Sequence, residues 1–92
     1  MHVLISYDLH KVREYKDLYD LLEGWGAVRL LESVWVVTRN DRIGVIRKAV
    51  SDTLDSDDSV AVVELKPGSG WASLRARAAG IGWLKKNIKD YG

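Results

Sequence analysis

The chain has 92 residues, 47% of them apolar and 29% charged, which is enough for one globular domain and too little for two. Fourteen Lys and Arg stand against thirteen Asp and Glu, so the formal charge of +1 selects no partner, and the lack of cysteine excludes a disulfide framework and a thiolate zinc site. No apolar run approaches the roughly 18 residues of a membrane span, and the opening Met-His-Val-Leu-Ile-Ser-Tyr-Asp is strand-like with no basic leader, so a cytoplasmic protein without a membrane partner is expected.

Val3, Leu4 and Ile5 form an apolar run of strand length that ends at Ser6-Tyr7-Asp8, which predicts a buried first strand. Tyr15, Leu18, Tyr19 and Leu22 follow at i, i+3, i+4 and i+7, one face of a helix over 13–23 that Gly24 and Gly26 stop. The stretch 27–38 is rich in β-branched and aromatic residues and has room for two strands of about five residues joined near Glu32-Ser33. No glycine marks that junction, so one long bent strand is the alternative. Asn40 or Asp41 is placed to cap a second helix carrying Ile43, Ile46, Val50 and Leu54, which runs into a stretch over 51–59 with four acids and no base. The apolar run Val60-Ala61-Val62-Val63 reads as the last strand.

The order β-α-β-β-α-β, with both helices on one sheet face and right-handed crossovers, predicts an α+β, ferredoxin-like βαββαβ sandwich over residues 1–66. Pro67-Gly68-Ser69-Gly70 is the clearest linker, and beyond it Trp71, Leu74, Ala78, Ile81, Leu84 and Ile88 recur every three or four residues. A C-terminal helical extension over 67–92, packed on the same domain, is expected. Gly80 and Gly82 each cost roughly 1 kcal/mol inside a helix, which favours two short helices with a break. This tail is locally basic, with Arg75, Arg77, Lys85, Lys86 and Lys89 against Asp90.

Among residues that carry chemistry, Asp8 stands just past the end of a buried strand, where ligands commonly approach a sheet; ending the strand or capping the next turn is the plainer role. One carboxylate is a poor Mg²⁺ or Mn²⁺ site, but a two-fold homodimer with its axis nearby supplies a second Asp8. His10, two positions on, reads as a solvated loop histidine before it reads as a general base. No nucleophile elbow, Walker loop, dinucleotide glycine pattern or His-Glu-x-x-His string is present, which removes the commonest hydrolase, nucleotide-binding and zinc-peptidase classes. Lys11, Arg13, Lys16, Arg39, Arg42, Arg47 and Lys48 cluster around the two helices and are candidates for tracking phosphates, although most suit a solvated face. Arg29 differs, because a covered strand arginine needs an acidic or phosphate partner. Trp35 reads as core or dimer interface, and Trp71 and Trp83 as fasteners of the tail.

Ile5-Ser6-Tyr7-Asp8-Leu9, a helix ending at Gly26, and Arg29-Leu30-Leu31-Glu32-Ser33-Val34-Trp35-Val36 together resemble the CRISPR-associated Cas-two proteins, small ferredoxin-like dimers related to VapD toxins. The likeness covers about residues 3–65 and is nearest to the subgroup labelled SinR in phage and bacterial genomes, which has a similar tail around Trp83-Leu84-Lys85-Lys86. The resemblance implies Asp8 as the strand-end aspartate that holds a divalent metal across the dimer in nuclease members, Tyr7 as its neighbour and Ser33 as the motif serine. Two departures stand out: no arginine-rich turn follows Asp8, and Leu31 replaces the motif glutamine. The expectation is therefore a homodimer associated with DNA or RNA through Tyr7, Lys11, Arg13, Arg29, Ser33, Arg39 and Arg42. Asp8 is its metal ligand and catalytic residue if it is a metal-dependent endonuclease, and robust cleavage is not expected. The competing expectation is a non-catalytic dimeric adaptor for a protein partner in phage or host defence.

Overall fold

A computed structural model describes residues 1–11 and 14–91. Strand β1 spans His2–Asp8, helix α1 Lys16–Gly24, β2 Val28–Leu31, β3 Val34–Thr38, α2 Ile43–Ser51, β4 Ser59–Leu65 and α3 Ala78–Asn87. The strands form one sheet in the order β2-β3-β1-β4, and every neighbouring pair is antiparallel. In the register, Ile5 faces Trp35 on one side and Val62 on the other. The stretch 27–38 is thus two strands turned at Glu32-Ser33, and the bent single strand is not formed.

Alternation along β1 assigns the two faces of the sheet. Val3, Ile5 and Tyr7 point to the side where Leu18 and Leu22 of α1 and Ile46 and Val50 of α2 close the main core with Trp35 and Val37. Leu4 points to the other side, where Leu84 and Ile88 from the C-terminal segment pack with Leu30 and Val36. The sheet is therefore covered by α1 and α2 on one face and by α3 on part of the other.

Helix termini explain several departures from the sequence reading. Helix α1 stops because Gly26 adopts φ +75 and the amides of Gly26 and Ala27 return to the carbonyls of Glu23 and Leu22 at 3.0 Å. Neither Asn40 nor Asp41 caps α2: Arg42 occupies the N-cap without a side-chain bond, and Asp41 instead accepts from Arg39 Nε at 2.8 Å. The tail holds one helix where a broken pair was expected. Gly80 lies in its first turn against β2, and a Cβ there would stand 2.6 Å from Leu30 Cα and 2.9 Å from the Arg29 carbonyl. The missing side chain is what lets α3 approach the strand, and the Arg77 amide bonds the Leu30 carbonyl at 2.9 Å beside it. Residues 71–77 form no helix, so Leu74 does not join the apolar stripe and is 75% exposed. Trp71 and Trp83 do fasten the tail: Trp71 packs against the cluster of Leu30, Val36, Leu84 and Ile88 while its Nε1 donates to the Lys89 carbonyl at 2.8 Å within the tail, and the Trp83 ring meets His2 edge-on at 5.5 Å.

Candidate functional site

The end of β1 carries Tyr7 and Asp8 on opposite faces, and the β2–β3 turn arrives beside them. The Tyr7 amide donates to the Ser33 carbonyl at 3.1 Å, which fixes the turn over the strand end. On β2 the register slips between Arg29 and Leu31, a local irregularity of the kind that re-aims a side chain. Arg29 pairs with Trp35 in the ladder and so projects to the same face as Tyr7. Tyr7, Asp8, His10, Arg29 and Ser33, flanked by Tyr19 and Glu32, line an open pocket of about 540 Å³.

Arg29 is the electrostatic centre of this pocket. Its guanidinium carbon lies 4.6 Å from the centroid of the Trp35 ring and 5.0 Å from that of Tyr19, so two aromatic faces hold the planar group. Its Nε is buried without a hydrogen-bond partner, and among the described residues no carboxylate makes an ion pair with it. Covered cations are normally neutralised, because desolvation costs several kcal/mol per ion before any pairing. Tyr7 supplies only partial relief. Its hydroxyl accepts from Trp35 Nε1 at 3.0 Å, and the Arg29 guanidinium stands close enough to act on its ionisation. Burial pushes the Tyr7 pKa up, the Trp35 and Arg29 donors pull it back, and the net shift is upward, so the phenol stays neutral at physiological pH. What remains is a guanidinium fork beside Ser33 in an open pocket that the Asp8 and Glu32 carboxylates also line; the fork suits an oxyanion such as a phosphate once a cation offsets those acids.

Comparison with known families places this pocket in context. A sequence model of the family described as CRISPR associated protein Cas2 matches residues 1–69. The chain belongs to that family. The matched span takes in all four strands, α1, α2 and the whole Arg29 pocket, whereas α3 lies beyond it. The Cas2 assignment agrees with the resemblance carried by the strand-end Tyr7-Asp8 and the Ser33-Val34 segment. Among the described residues no helix is long and apolar enough to cross a membrane.

Of the residues singled out from the Cas2-like pattern, the fold brings together Tyr7, Asp8, Arg29 and Ser33. The Asp8 side chain is exposed and its carboxylate makes no hydrogen bond or ion pair among the described residues, so it neither caps the following turn nor is committed elsewhere. Lys11 is exposed a few residues further on, and Arg13 lies outside the described residues. Arg39 and Arg42 do not belong to this group. They follow β3 at the end of the sheet where His2 faces Thr38, about 20 Å of strand away from Asp8. Arg39 is also spoken for, bonded to Asp41 at 2.6 Å and stacked 4.3 Å over Trp25, whereas Arg42 is exposed.

Two features of this Cas2 protein were invisible in the pattern. Tyr19 belongs to the apolar stripe of α1, and nothing in a helical repeat tells that its ring also holds an arginine from β2. Asp58, read as part of a helix-breaking acidic run, is a clasp: it accepts from the His10 amide at 2.8 Å, the Asp55 amide at 2.8 Å and the Tyr15 hydroxyl at 3.0 Å. Partial burial raises its pKa, but these donors and the nearby His10 outweigh it and hold the carboxyl below its ordinary value. One carboxylate oxygen each from Asp55, Asp57 and Asp58 lies within 4.8 Å of the others, a spacing a cation can bridge, with Asp58 already engaged by the clasp.

Proposed function

We propose that this chain is a ferredoxin-like, homodimeric Cas2 protein that associates with DNA or RNA through the Arg29 pocket, and that it belongs to the SinR-labelled subgroup of a bacterial or phage-encoded cytoplasmic family. The observation that carries the reading is the uncompensated Arg29 guanidinium, held between Tyr19 and Trp35 in a pocket shared with Asp8 and Ser33. A phosphodiester supplies the missing negative charge, Ser33 offers a further hydrogen-bond donor, and Lys11 extends the cationic path. Asp8 is free to take a cation, and a second copy across a two-fold axis would complete a two-carboxylate site for Mg²⁺ or Mn²⁺. Such an ion would orient a water and stabilise charge on a phosphate. This chain's own residues hold the phosphate at Arg29 and exclude little water, since the pocket is open and the arginine-rich turn is missing; the reading therefore assigns binding and no robust cleavage.

Arg29→Met tests the assignment, because methionine keeps an unbranched stem between the two rings and removes the charge. Titration of labelled 20-nucleotide DNA and RNA at two salt concentrations should show steeply salt-dependent binding by the natural protein and at least tenfold weaker binding by the variant. Its thermal midpoint should not fall, since an unneutralised charge has been removed. Unchanged binding by Arg29→Met would overturn the assignment. In an Asp57→Asn background, which disables the Asp55/Asp57/Asp58 group, Asp8→Asn should abolish any Mn²⁺-induced thermal shift while sedimentation still reports a dimer, and strong Asp8-dependent cleavage would show the assignment of binding alone to be wrong.

A further inference from the structure

The charge of the molecule divides sharply between the part matched by the Cas2 family and the part beyond it. The first 70 residues carry nine Lys and Arg against twelve Asp and Glu, whereas residues 71–92 carry five against one. The treatment of those cations also differs. In the body Lys16 pairs with Asp20, Arg39 with Asp41, Lys48 with Asp52 and Lys66 with Glu64, while Lys11, Arg29, Arg42 and Arg47 make no ion pair among the described residues. In the tail, among the described residues, no carboxylate pairs with Arg75, Arg77, Lys85, Lys86 or Lys89.

Helical geometry gathers two of these cations and the chain brings a third beside them. Gly80 and Leu84 of α3 face the sheet and are buried, so at 100° per residue Lys85 and Lys86 fall on the outward half of the helix, and Lys89 follows just past its end. All three are exposed, and the rest of that side is Ala78, Ala79 and Gly82, which project almost nothing. Lysines in a last turn complement the helix dipole, which accounts for Lys85 and Lys86 near the C-terminus. It does not account for Lys89 beyond the helix, nor for the exclusion of acidic neighbours such as those that pair Lys16, Lys48 and Lys66 in the body. Lys89 is moreover held in place, with its ammonium 5.1 Å from the centre of the Tyr91 ring, which stacks on Trp71 at 5.3 Å.

We infer that the outer face of α3, with Lys85, Lys86 and Lys89, is a second nucleic-acid contact that follows the phosphate backbone. It lies on the sheet face opposite α1 and α2, and therefore on the other side of the molecule from the Arg29 side chain. A smooth ridge of alanine and glycine leading to three unpaired ammonium groups suits a polyanion that lies along a helix. A bilayer is disfavoured, because the exposed side of α3 has no large apolar residue to insert. With two contacts on opposite faces, one nucleic-acid strand has to wrap the edge of the sheet or two strands are held at once. The inference rests on the nucleic-acid reading of this protein but not on the Arg29 pocket.

The test compares the natural chain, the triple variant Lys85→Gln, Lys86→Gln, Lys89→Gln, a triple Lys→Arg control and Arg29→Met, all titrated with labelled 20-nucleotide DNA and RNA from low to physiological salt. Each phosphate contact contributes about 0.7–0.9 to the slope of log affinity against log salt, so the glutamine variant should lose about two units of slope, with affinity at least tenfold lower. The arginine control should retain both, and the thermal midpoint of the glutamine variant should fall only slightly, by the loss of the exposed helix-dipole and Tyr91 contacts. A glutamine variant that binds with unchanged slope while Arg29→Met has lost binding would overturn the inference and leave the pocket standing. The reverse pattern would keep the α3 contact and remove the pocket. No binding of nucleic acid by the natural chain would defeat both, and binding of the natural chain to anionic vesicles alone would replace the inference with a membrane contact.

Discussion

Gly80 and Gly82 sit two residues apart in α3, and the same substitution at each should move stability in opposite directions. A Cβ at Gly80 would lie 2.6 Å from Leu30 Cα, 2.8 Å from Leu30 Cδ1 and 2.9 Å from the Arg29 carbonyl oxygen, whereas a Cβ at Gly82 meets nothing within 4 Å. Carbon atoms pack comfortably at about 3.5–4.0 Å, so Gly80→Ala has to lift the first turn of α3 from β2 by about 1 Å. That movement loosens Leu84 and Ile88 against Leu30 and Val36 and stretches the Arg77–Leu30 backbone bond. Overpacking of this kind costs about 1–3 kcal/mol, and the gain from replacing glycine in a helix offsets up to about 1 kcal/mol, for a net loss of about 1–2 kcal/mol. In a domain of this size that lowers the midpoint of thermal unfolding by roughly 5–15 °C. Gly82→Ala has the propensity gain and no clash, and should raise the midpoint by a few degrees. Circular-dichroism melts of the two variants decide it. If both substitutions stabilise, α3 is not docked through Gly80 and the account of the tail is wrong.

Two residues of the site region allow sharper checks. Tyr7→Phe removes the oxygen that accepts from Trp35 Nε1, leaving a covered donor unsatisfied, and should cost about 1–3 kcal/mol in chemical denaturation; an unchanged midpoint would show that water or another acceptor replaces it. The Asp58 clasp gives a pH signature. Its folded pKa is lowered, so its stabilisation is fully present above the ordinary value of 3.8 and disappears as pH falls through the folded value. The stability gap between the natural chain and Asp58→Asn should therefore be level from about pH 8 to about pH 5 and narrow only in stronger acid. A gap that changes between about pH 6 and pH 8 would show that the Asp58 carboxylate is not what the substitution reports.

Much of the chain order was legible because it depends on local periodicity. The stripe Tyr15, Leu18, Tyr19, Leu22 and the run Val3-Leu4-Ile5 each carry their element type in their spacing, and Gly26 announces the end of α1 by needing a positive φ. The tail was misread for a related reason. Trp71 and Leu74 keep helical spacing with Ala78, yet residues 71–77 form no helix, and the glycine that looked like a helix breaker is a contact point with β2. Spacing along a chain cannot reveal a neighbour that arrives from 50 residues away. The same limit governs the site. Tyr7, Asp8 and Ser33 were visible as a motif, and Arg29 as a charge without a partner, but its aromatic clamp and the exclusion of Arg39 and Arg42 depend on sheet register, which only the assembled strands define.

The place of Asp8 constrains how two copies can meet. Asp8 belongs to the face shared with Leu4 and Ser6, and on that face α3 covers Leu30 and Val36 of the β2–β3 half. The β1–β4 half is barer: Ala61, opposite Ser6, is exposed, and Val63, opposite Leu4, is 50% exposed. A two-fold axis that brings two Asp8 carboxylates together face to face, and not past the strand ends, passes over β1 and β4, with Ser6, Ala61 and Val63 near it. The chain has no cysteine, so a single introduced thiol reports this without interference. Ala61→Cys should form an inter-chain disulfide rapidly under mild oxidation, since the two thiols face each other close to the axis, whereas Leu74→Cys, 75% exposed on the far segment, should cross-link slowly. If sedimentation shows a dimer but Ala61→Cys links no faster than Leu74→Cys, the copies do not meet over the β1–β4 face, and a metal bridged there loses its basis.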